Sequence, residues 1–470
     1  MHGPDWLRAA RTAAAERFGA SPMPTDTEEI WRYSPIGDLD LDRFAPHGAE
    51  RDATAPAAEP PAMAVDLATA LGTAGGTLAL TNGGLDLVAG LPDRATAFVG
   101  RLGDHPDGAA LLGSVAGEHD IFSMLNVAFS PDPIIIDVPK GVVLGGPLIL
   151  THSIGGAAGD GQGGGSSPGT AAFPRTVIRL GVGAEAHVVE VFVDIHGGHP
   201  VRGGASHGGP SHGRDTVQTL CCPVLEVDVA DGARLRYTAV QLLGDGTTCI
   251  AYQGSRVGRD ASLISGSVAL GGTYARLRTD SRLVGQGGEA NLLAVYFGAT
   301  DQVLDFRTLQ HHEAPRTTSE LVFKGAVTDR ARSVYSGLIR ILNGSRGADA
   351  RQANRNLVLG DGAHADSVPN LEIEENDVKC SHASAMGPVS EEQRYYLESR
   401  GVPPVVADRL IVLGFLSEVL DRLPARGLRA PLRAAFGAKF DASDANQAVS
   451  NSADSNSADS NRAIPNRAGA

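Results

Sequence analysis

Between residues 134 and 373 the chain consists of short apolar runs separated by turns rich in Gly, Asp and Asn. This pattern is typical of β-strands. Three turns place an alanine just after polar residues, at Ala233, Ala261 and Ala290, so the alanines recur at intervals of 28 and 29 residues. An interval of this length indicates the stacked coils of a β-solenoid, in which short strands share one long core. The interval alone leaves a β-sandwich open as an alternative.

The segments on either side of the strands have different patterns. Residues 5–18 read as a helix, and Thr25 and Glu28 have the spacing of a capping box, which predicts another helix start. Residues 45–62, rich in Ala and Pro, are typical of a linker. We therefore predict four regions: a partly helical N-terminal region with a linker (1–125), a strand core with flexible Gly-rich and His-rich insertions (126–380), a C-terminal helical region (381–440) and a disordered, Ser/Asn/Asp-rich tail (441–470).

Two helices are predicted in the C-terminal region. Ser390 and Gln393 have capping-box spacing, so the first helix should cover residues 391–400. The second should cover residues 405–423, with a core face that recurs every three to four positions at Val406, Leu410, Leu413, Leu416, Leu420 and Leu423. Phe415 and Val419 lie one turn apart on a flank of this stripe, so we expect both side chains to face outward.

Charge and composition exclude several classes of protein. The net charge of −14 argues against a nucleic-acid-binding role, because neutralising phosphates requires clustered Lys and Arg. No apolar run approaches the roughly 18 residues of a membrane span. The four cysteines form no C-x-x-C pair, which suits a reducing compartment, and we expect a cytoplasmic protein. None of the four lysines is followed by Ser or Thr, so the chain has no P-loop and is not itself a Walker-type ATPase.

Cysteine and histidine positions suggest one candidate metal site. Three cysteines lie in apolar runs, which favours buried side chains: Cys221, Cys222 and Cys249. Cys380 and His382 differ, because residues two apart on a strand project to the same face and could reach one metal together. The alternative is a core cysteine beside a surface histidine. The four histidines within residues 196–214 lie among glycines that give no fixed geometry, so a loop is favoured over a metal site there.

Several stretches of the chain carry a family signature. The last begins at Lys379 and reads KCSHASAMGPVSEEQRYYLESRG, with GFLSEVL further on. Upstream lie TEEIWRY, NVAFSPDPIIIDVPKG and the pattern PRT…GAEAHVVE. Together these stretches resemble the SufB/SufD family of iron–sulfur cluster assembly proteins, and the KCSH form is similar to the SufD branch. The resemblance implies a mainly β fold, a right-handed parallel β-helix flanked by N-terminal and C-terminal helical regions.

The resemblance also implies a function. The chain is expected to be a non-catalytic subunit of a SUF-type assembly complex, paired along its β-helix with a SufB-like paralogue. A SufC-like ABC-type ATPase is expected to dock on the C-terminal helices, with Phe415 and Val419 as contacts. His382 and Cys380 are expected to be interface ligands to nascent iron–sulfur species. No cofactor is expected on the isolated chain, and a transient cluster is expected at the interface with a partner.

One departure from the family pattern supports the SufD branch. The SufB branch has a cysteine, used as a cluster ligand, in a Q-C-D sequence, whereas the comparable stretch here reads RQANRNLVLGD and residues 354–357 contain no cysteine. Two other functions stay open. One is a structural homodimeric scaffold with no metal role. The other is a carbohydrate-active β-helix enzyme, which needs a carboxylate pair that the sequence does not reveal.

Overall fold

The computed structural model describes five stretches of the chain: residues 3–46, 62–72, 74–156, 169–195 and 219–462. The predicted Gly-rich insertion at residues 155–169 lies almost entirely outside them, and the His-rich insertion at residues 196–214 lies wholly outside. The same is true of residues 463–470 of the predicted tail. Among the described residues, no helix is both long and apolar enough to cross a membrane.

Helices lie toward the two ends of the chain and strands lie between them. The helices are α1 (Asp5–Ala20), α2 (Ala62–Ala70), α3 (Gly108–Leu111), α4 (Ile121–Phe129), α5 (Glu391–Glu398), α6 (Pro404–Leu420) and α7 (Arg429–Arg462). The first strands are β1 (Phe44–Pro46), β2 (Gly76–Thr81), β3 (Gly84–Ala89), β4 (Phe98–Arg101), β5 (Ile134–Val138), β6 (Leu148–Ile154), β7 (Gly169–Ala172), β8 (Arg175–Leu180), β9 (Glu185–Asp194), β10 (Thr219–Cys221) and β11 (Val224–Val229). The later strands are β12 (Arg234–Leu242), β13 (Thr247–Val257), β14 (Ser262–Ala269), β15 (Tyr274–Leu283), β16 (Glu289–Gly298), β17 (Val303–His312), β18 (Thr318–Thr328), β19 (Arg332–Ile341), β20 (Asp349–Leu359), β21 (His364–Ile373) and β22 (Lys379–Gly387).

The strands build a β-solenoid of about six turns, and the fold is mainly β, with 44% strand and 24% helix. Each coil adds one strand to each of two parallel sheets. The first sheet has the order β21-β19-β17-β15-β13-β11-β8-β5-β4, and the second has the order β22-β20-β18-β16-β14-β12-β9-β6-β2-β3. The predicted solenoid with flanking helical regions is therefore confirmed.

The alanine repeat matches the register of the coils at two of its three positions. Arg234 on β12 pairs with Ser262 on β14, so Ala233 and Ala261 occupy equivalent positions in consecutive coils. Both alanines are fully buried, as expected for a small residue at a tight corner of the solenoid. Ala290 lies two positions further along its coil, since it pairs with Leu263.

The N-terminal region packs on the outer face of the first sheet. Glu28 accepts a hydrogen bond from the backbone N–H of Thr25 at 2.9 Å, and one turn of 3-10 helix follows. Trp31 is buried there, with the guanidinium of Arg276 4.0 Å from its ring centroid. The same guanidinium donates to the carbonyl oxygen of Ile30 at 2.7 Å. These contacts fix the N-terminal segment to the solenoid.

The C-terminal helices α6 and α7 cover the outer face of the second sheet. Their apolar residues form one core with those of the strands, including Val295, Phe297, Val412, Leu416, Val419, Leu420, Leu432 and Phe436. α6 packs against β16 and β18 in particular. Because α6 has apolar side chains on more than one face, this packing decides which face is buried.

The sequence assigned the faces of α6 only partly correctly. Leu416 and Leu420 are buried as predicted, but Val406 and Leu410 are 44% and 47% exposed. Val419 is predicted to face outward, and this is wrong, because its side chain is fully buried against the second sheet. Phe415 is half-buried, and the ammonium of Lys324 lies 4.4 Å from its ring centroid.

The structure also places two boundaries differently from the sequence predictions. β22 continues to Gly387, so the last strand extends past residue 380 and the helical region begins with α5. α7 continues through Arg462, although a disordered tail is predicted from residue 441. Polar contacts hold the first part of this segment, since Asp441 accepts from Arg409 at 2.7 Å and Ser443 is buried in contact with Asp329.

Candidate functional site

The two ends of the solenoid differ. At the N-terminal end both sheets finish in antiparallel strands, because β3 pairs antiparallel with β2 and β4 pairs antiparallel with β5. At the C-terminal end the sheets finish in β21 and β22, and within the described stretches no strand pairs with their outer edges. Almost all residues of β22 are exposed. A free strand edge of this kind presents unpaired N–H and C=O groups, which is a template for pairing with another chain.

His382 lies on the inner face of this open coil. Cys380, His382 and Ser384 pair in register with Ala350, Gln352 and Asn354 of β20. Those three residues of β20 are buried inside the solenoid, so their counterparts on β22 face the same interior without a further coil to cover them. The predicted common face of Cys380 and His382 is therefore observed, and the His382 side chain is exposed.

Cys380 is less accessible than His382. Its side chain packs at the edge of a small apolar cluster that contains Ile339, Ile341 and Ala350. Burial, and then the carboxylate of Asp349, raise the pKa of the Cys380 thiol above its ordinary value. Since metals bind the thiolate, a metal at Cys380 must displace a tightly held proton. Cys380 therefore has features of both alternatives. Part of its side chain packs in the core, and part remains open to the candidate metal site.

The donor set is incomplete for a cluster. Nowhere in the described part of the chain do three or more His, Cys, Asp or Glu residues form a group that could hold a metal ion. Cys380 and His382 supply one sulfur and one nitrogen donor, which suit iron chemically, but a cluster needs about four ligands. Cys380 and His382 could therefore hold a nascent cluster, as cargo, only together with donors from a second chain.

The position of the missing cysteine is filled by a closed amide network. Asn354 donates to the hydroxyl of Tyr296 at 3.1 Å, and that hydroxyl donates to Asn356 Oδ1 at 2.8 Å. Asn356 in turn donates to Asn354 Oδ1 at 2.9 Å. All three side chains are buried and satisfy one another, so this part of β20 offers no metal ligand.

The remaining predicted positions have structural roles. Cys221, Cys222 and Cys249 are free and buried, as predicted. Burial raises the pKa of Cys222, and contact with Cys249 followed by burial raises that of Cys221, so both remain thiols. His312 is buried between the hydroxyls of Thr317 and Ser319 at 2.7 and 2.8 Å, and burial lowers its pKa to about 4.

A second exposed feature lies on the C-terminal helices. Large apolar side chains are exposed on α5 and α6, namely Tyr395, Tyr396, Val405, Val406 and Leu410. We call this set the helical patch. Tyr395, with 74% of its surface exposed, is the most exposed of them. All five side chains lie on two consecutive helices, and exposed apolar side chains that cluster are typical of interaction surfaces.

Comparison with known sequences identifies the family. The family described as SUF system FeS cluster assembly, SufBD core domain, matches residues 162–415, which include the solenoid from β7 to β22 and most of α6. The chain belongs to the SufB/SufD family. The open coil with Cys380 and His382 falls within the matched core domain.

Curated relatives place the chain on the SufD side of the family. It is 26% identical to the iron–sulfur cluster assembly protein SufD of Escherichia coli over 417 residues, or 89% of each chain. It is 34% identical to SufD of Bacillus subtilis over 44% of this chain and 48% of that protein. A SufBD family protein of Mycobacterium tuberculosis is 38% identical over 47% of this chain, and the match spans 58% of that relative's length.

Sequence reasoning missed two sets of residues. The exposed Val406 and Leu410 carry no sequence signal that separates them from the buried positions of α6. Gln352, directly below His382 in the ladder, could have been found, because the two residues are separated by 30 positions, close to one coil of the solenoid.

Proposed function

We propose that this chain is a SufD-like, non-catalytic subunit of a SUF complex that pairs the open end of its solenoid with a SufB-like paralogue. One observation carries the proposal: the N-terminal end of the solenoid is capped by antiparallel strands, whereas at the other end no strand of the described residues pairs with the outer edges of β21 and β22. A stack of repeats needs a polar cap or a partner at each end. Pairing of strand edges supplies backbone hydrogen bonds and a defined register.

The backbone of β22 is oriented for such pairing. Lys379 donates its N–H to the carbonyl of Ala348, and alternate residues of a parallel strand donate toward the same neighbour. The N–H groups of His382 and Ser384 therefore point away from β20, toward the free edge. A partner strand laid along this edge would bring its own side chains next to the inner face of the open coil. We propose that His382, and less directly Cys380, join partner donors there to hold a nascent cluster.

In this proposal a different subunit hydrolyses the nucleotide. The chain has no P-loop, and we propose that a SufC-like ABC-type ATPase docks on the helical patch. We propose that this contact involves Val406, Leu410 and the tyrosines of α5, which are exposed, and not Val419, which is in the core. Because α6 packs directly on β16 and β18, a force applied to the patch would reach the solenoid.

Pairing at the edge of β22 can be tested with one substitution. Ser384→Pro removes an outward N–H but spares the hydrogen bonds to β20, so we expect it to abolish co-purification with a co-expressed SufB-like paralogue. Ser384→Ala is the matched control and should retain the partner. Equal melting temperatures of the two isolated variants would show that the fold is intact.

Two outcomes would contradict the proposed pairing. A folded Ser384→Pro variant that still binds the paralogue would exclude this edge. If the wild-type chain does not bind the paralogue and instead forms a dimer that Ser384→Pro disrupts, the edge joins two copies of the chain, and the homodimeric scaffold is the correct alternative.

A further inference from the structure

Gln352 stands out among the polar residues inside the solenoid. Its side chain is 2% exposed, yet neither its amide oxygen nor its amide nitrogen has a hydrogen-bond partner in the described part of the chain. Buried amides in proteins are almost always paired. Another interior glutamine, Gln253, follows this rule, since it is bonded to Ser265 at 2.9 Å.

The neighbours of Gln352 on its own strand and on the strand below offer its amide no available polar side chain. The residue below it in the ladder is Leu321, which is apolar. On its own strand Ala350 has no polar side chain, and Asn354 is already engaged with Tyr296 and Asn356.

Across the interior, the amide nitrogen of Gln352 lies 2.5 Å from the point where a Cβ on Gly337 would stand, so it fills the space that this glycine leaves open. The nearby hydroxyl of Tyr335 is bonded to Thr308 at 2.9 Å. His382, on the open coil, lies directly above Gln352 and is paired with it in register.

We propose that Gln352 is the positioning residue for His382, its amide oxygen accepting a hydrogen bond from the Nδ1–H of the imidazole. This inference rests on the proposed function, in which His382 is a ligand to a nascent cluster. A metal-binding histidine needs its second ring nitrogen held by an acceptor, which fixes both the tautomer and the ring orientation. With Nδ1 protonated, the lone pair of Nε2 is free to face the cargo at the open edge.

The test measures the tautomer of His382 in the isolated, metal-free chain. ¹⁵N-histidine labelling reports the two ring nitrogens separately, and His382→Gln identifies the signal. At a pH where the ring is neutral, we expect the wild-type signal to show a proton on Nδ1. Gln352→Leu should lose this preference, and Gln352→Glu, which keeps an acceptor, should retain it. Gln253→Leu makes the same substitution several coils away and should leave the signal of His382 unchanged.

The outcomes separate this inference from the proposed function. A wild-type His382 with its proton on Nε2, or a tautomer that does not respond to Gln352→Leu in a folded chain, would overturn the inference. If Gln352→Leu fails to fold, the tautomer of His382 in the wild-type spectrum still tests the inference. If the tautomer changes as expected but His382→Ala leaves cluster build-up in the complex unchanged, Gln352 positions His382 and the ligand role of His382 is wrong.

Discussion

Lys439 on α7 shows how single polar residues attach the helices to the solenoid. Its ammonium group is buried and donates to the carbonyl of Phe297 at 2.8 Å and to Gln302 Oε1 at 2.5 Å, with a third bond to the carbonyl of Leu270. Burial lowers its pKa to about 7, although the carboxylates of Asp245 and Asp329 act in the opposite direction. The lysine thus joins α7 to β16, to the residue that follows β14 and to the turn before β17.

This lysine predicts a pH dependence of stability. An unfolded lysine has a pKa of 10.5, so between pH 7 and 10.5 the unfolded chain binds the proton more tightly than the folded chain, and stability rises with pH. Relative to Lys439→Met, the wild-type free energy of unfolding should increase by about 1.4 kcal/mol per pH unit within this window. Urea unfolding at three pH values measures it. The exposed control Lys379→Met should parallel the wild type, and a parallel profile for Lys439→Met would contradict the prediction.

Residue-level predictions succeeded where local pattern decides burial. Cys221, Cys222 and Cys249 lie in apolar runs, and all three are buried. The role of Lys439 could not be predicted, because its three acceptors lie more than 130 residues away in sequence. The role of Cys380 could not be decided from local pattern, because its side chain packs against an apolar cluster of the coil below while no further strand of the described chain covers it.

At the scale of elements, α6 shows the limit of the helical period. The helix is apolar on more than one face, so a spacing of three to four residues fits two different apolar stripes equally well. Contact with β16 and β18 buries the stripe with Val412 and Val419 and leaves Val406 and Leu410 exposed. The start of α5 was more predictable, because Ser390 accepts a hydrogen bond from the N–H of Gln393 as the capping-box spacing indicates.

The two faces of α6 predict opposite mutational effects. Val406→Asp with Leu410→Asp adds charge to an exposed surface, so we expect the chain to stay folded and to lose a co-expressed SufC-like ATPase in affinity purification. Val419→Asp buries an unpaired charge and should lower the free energy of unfolding by about 3 kcal/mol or more. Thermal unfolding and co-purification of both variants check this. Retention of the ATPase by a folded double variant would exclude the helical patch as its docking surface.

At the scale of the whole molecule, the sequence repeat left a solenoid and a sandwich open, the family resemblance decided for the solenoid, and neither gave its register. Coils differ in length, since Arg234 pairs with Ser262 whereas Thr318 pairs with Asp349, three residues further per coil. A fixed interval therefore drifts out of register, as Ala290 does. The contrast between the capped end and the open end also emerges only from strand pairing.

The most direct test of the central claim is anaerobic reconstitution with iron and sulfide, followed by absorbance and iron and sulfide analysis. We expect no stable cluster on the isolated chain, because Cys380 and His382 supply only two donors, and a cluster on the complex with its SufB-like and ATPase partners. His382→Ala should impair cluster build-up without dissociating the complex, and Cys380→Ala should have an equal or smaller effect. A stable cluster on the isolated chain, or unchanged build-up in the His382→Ala complex, would contradict a shared site at the open end of the solenoid.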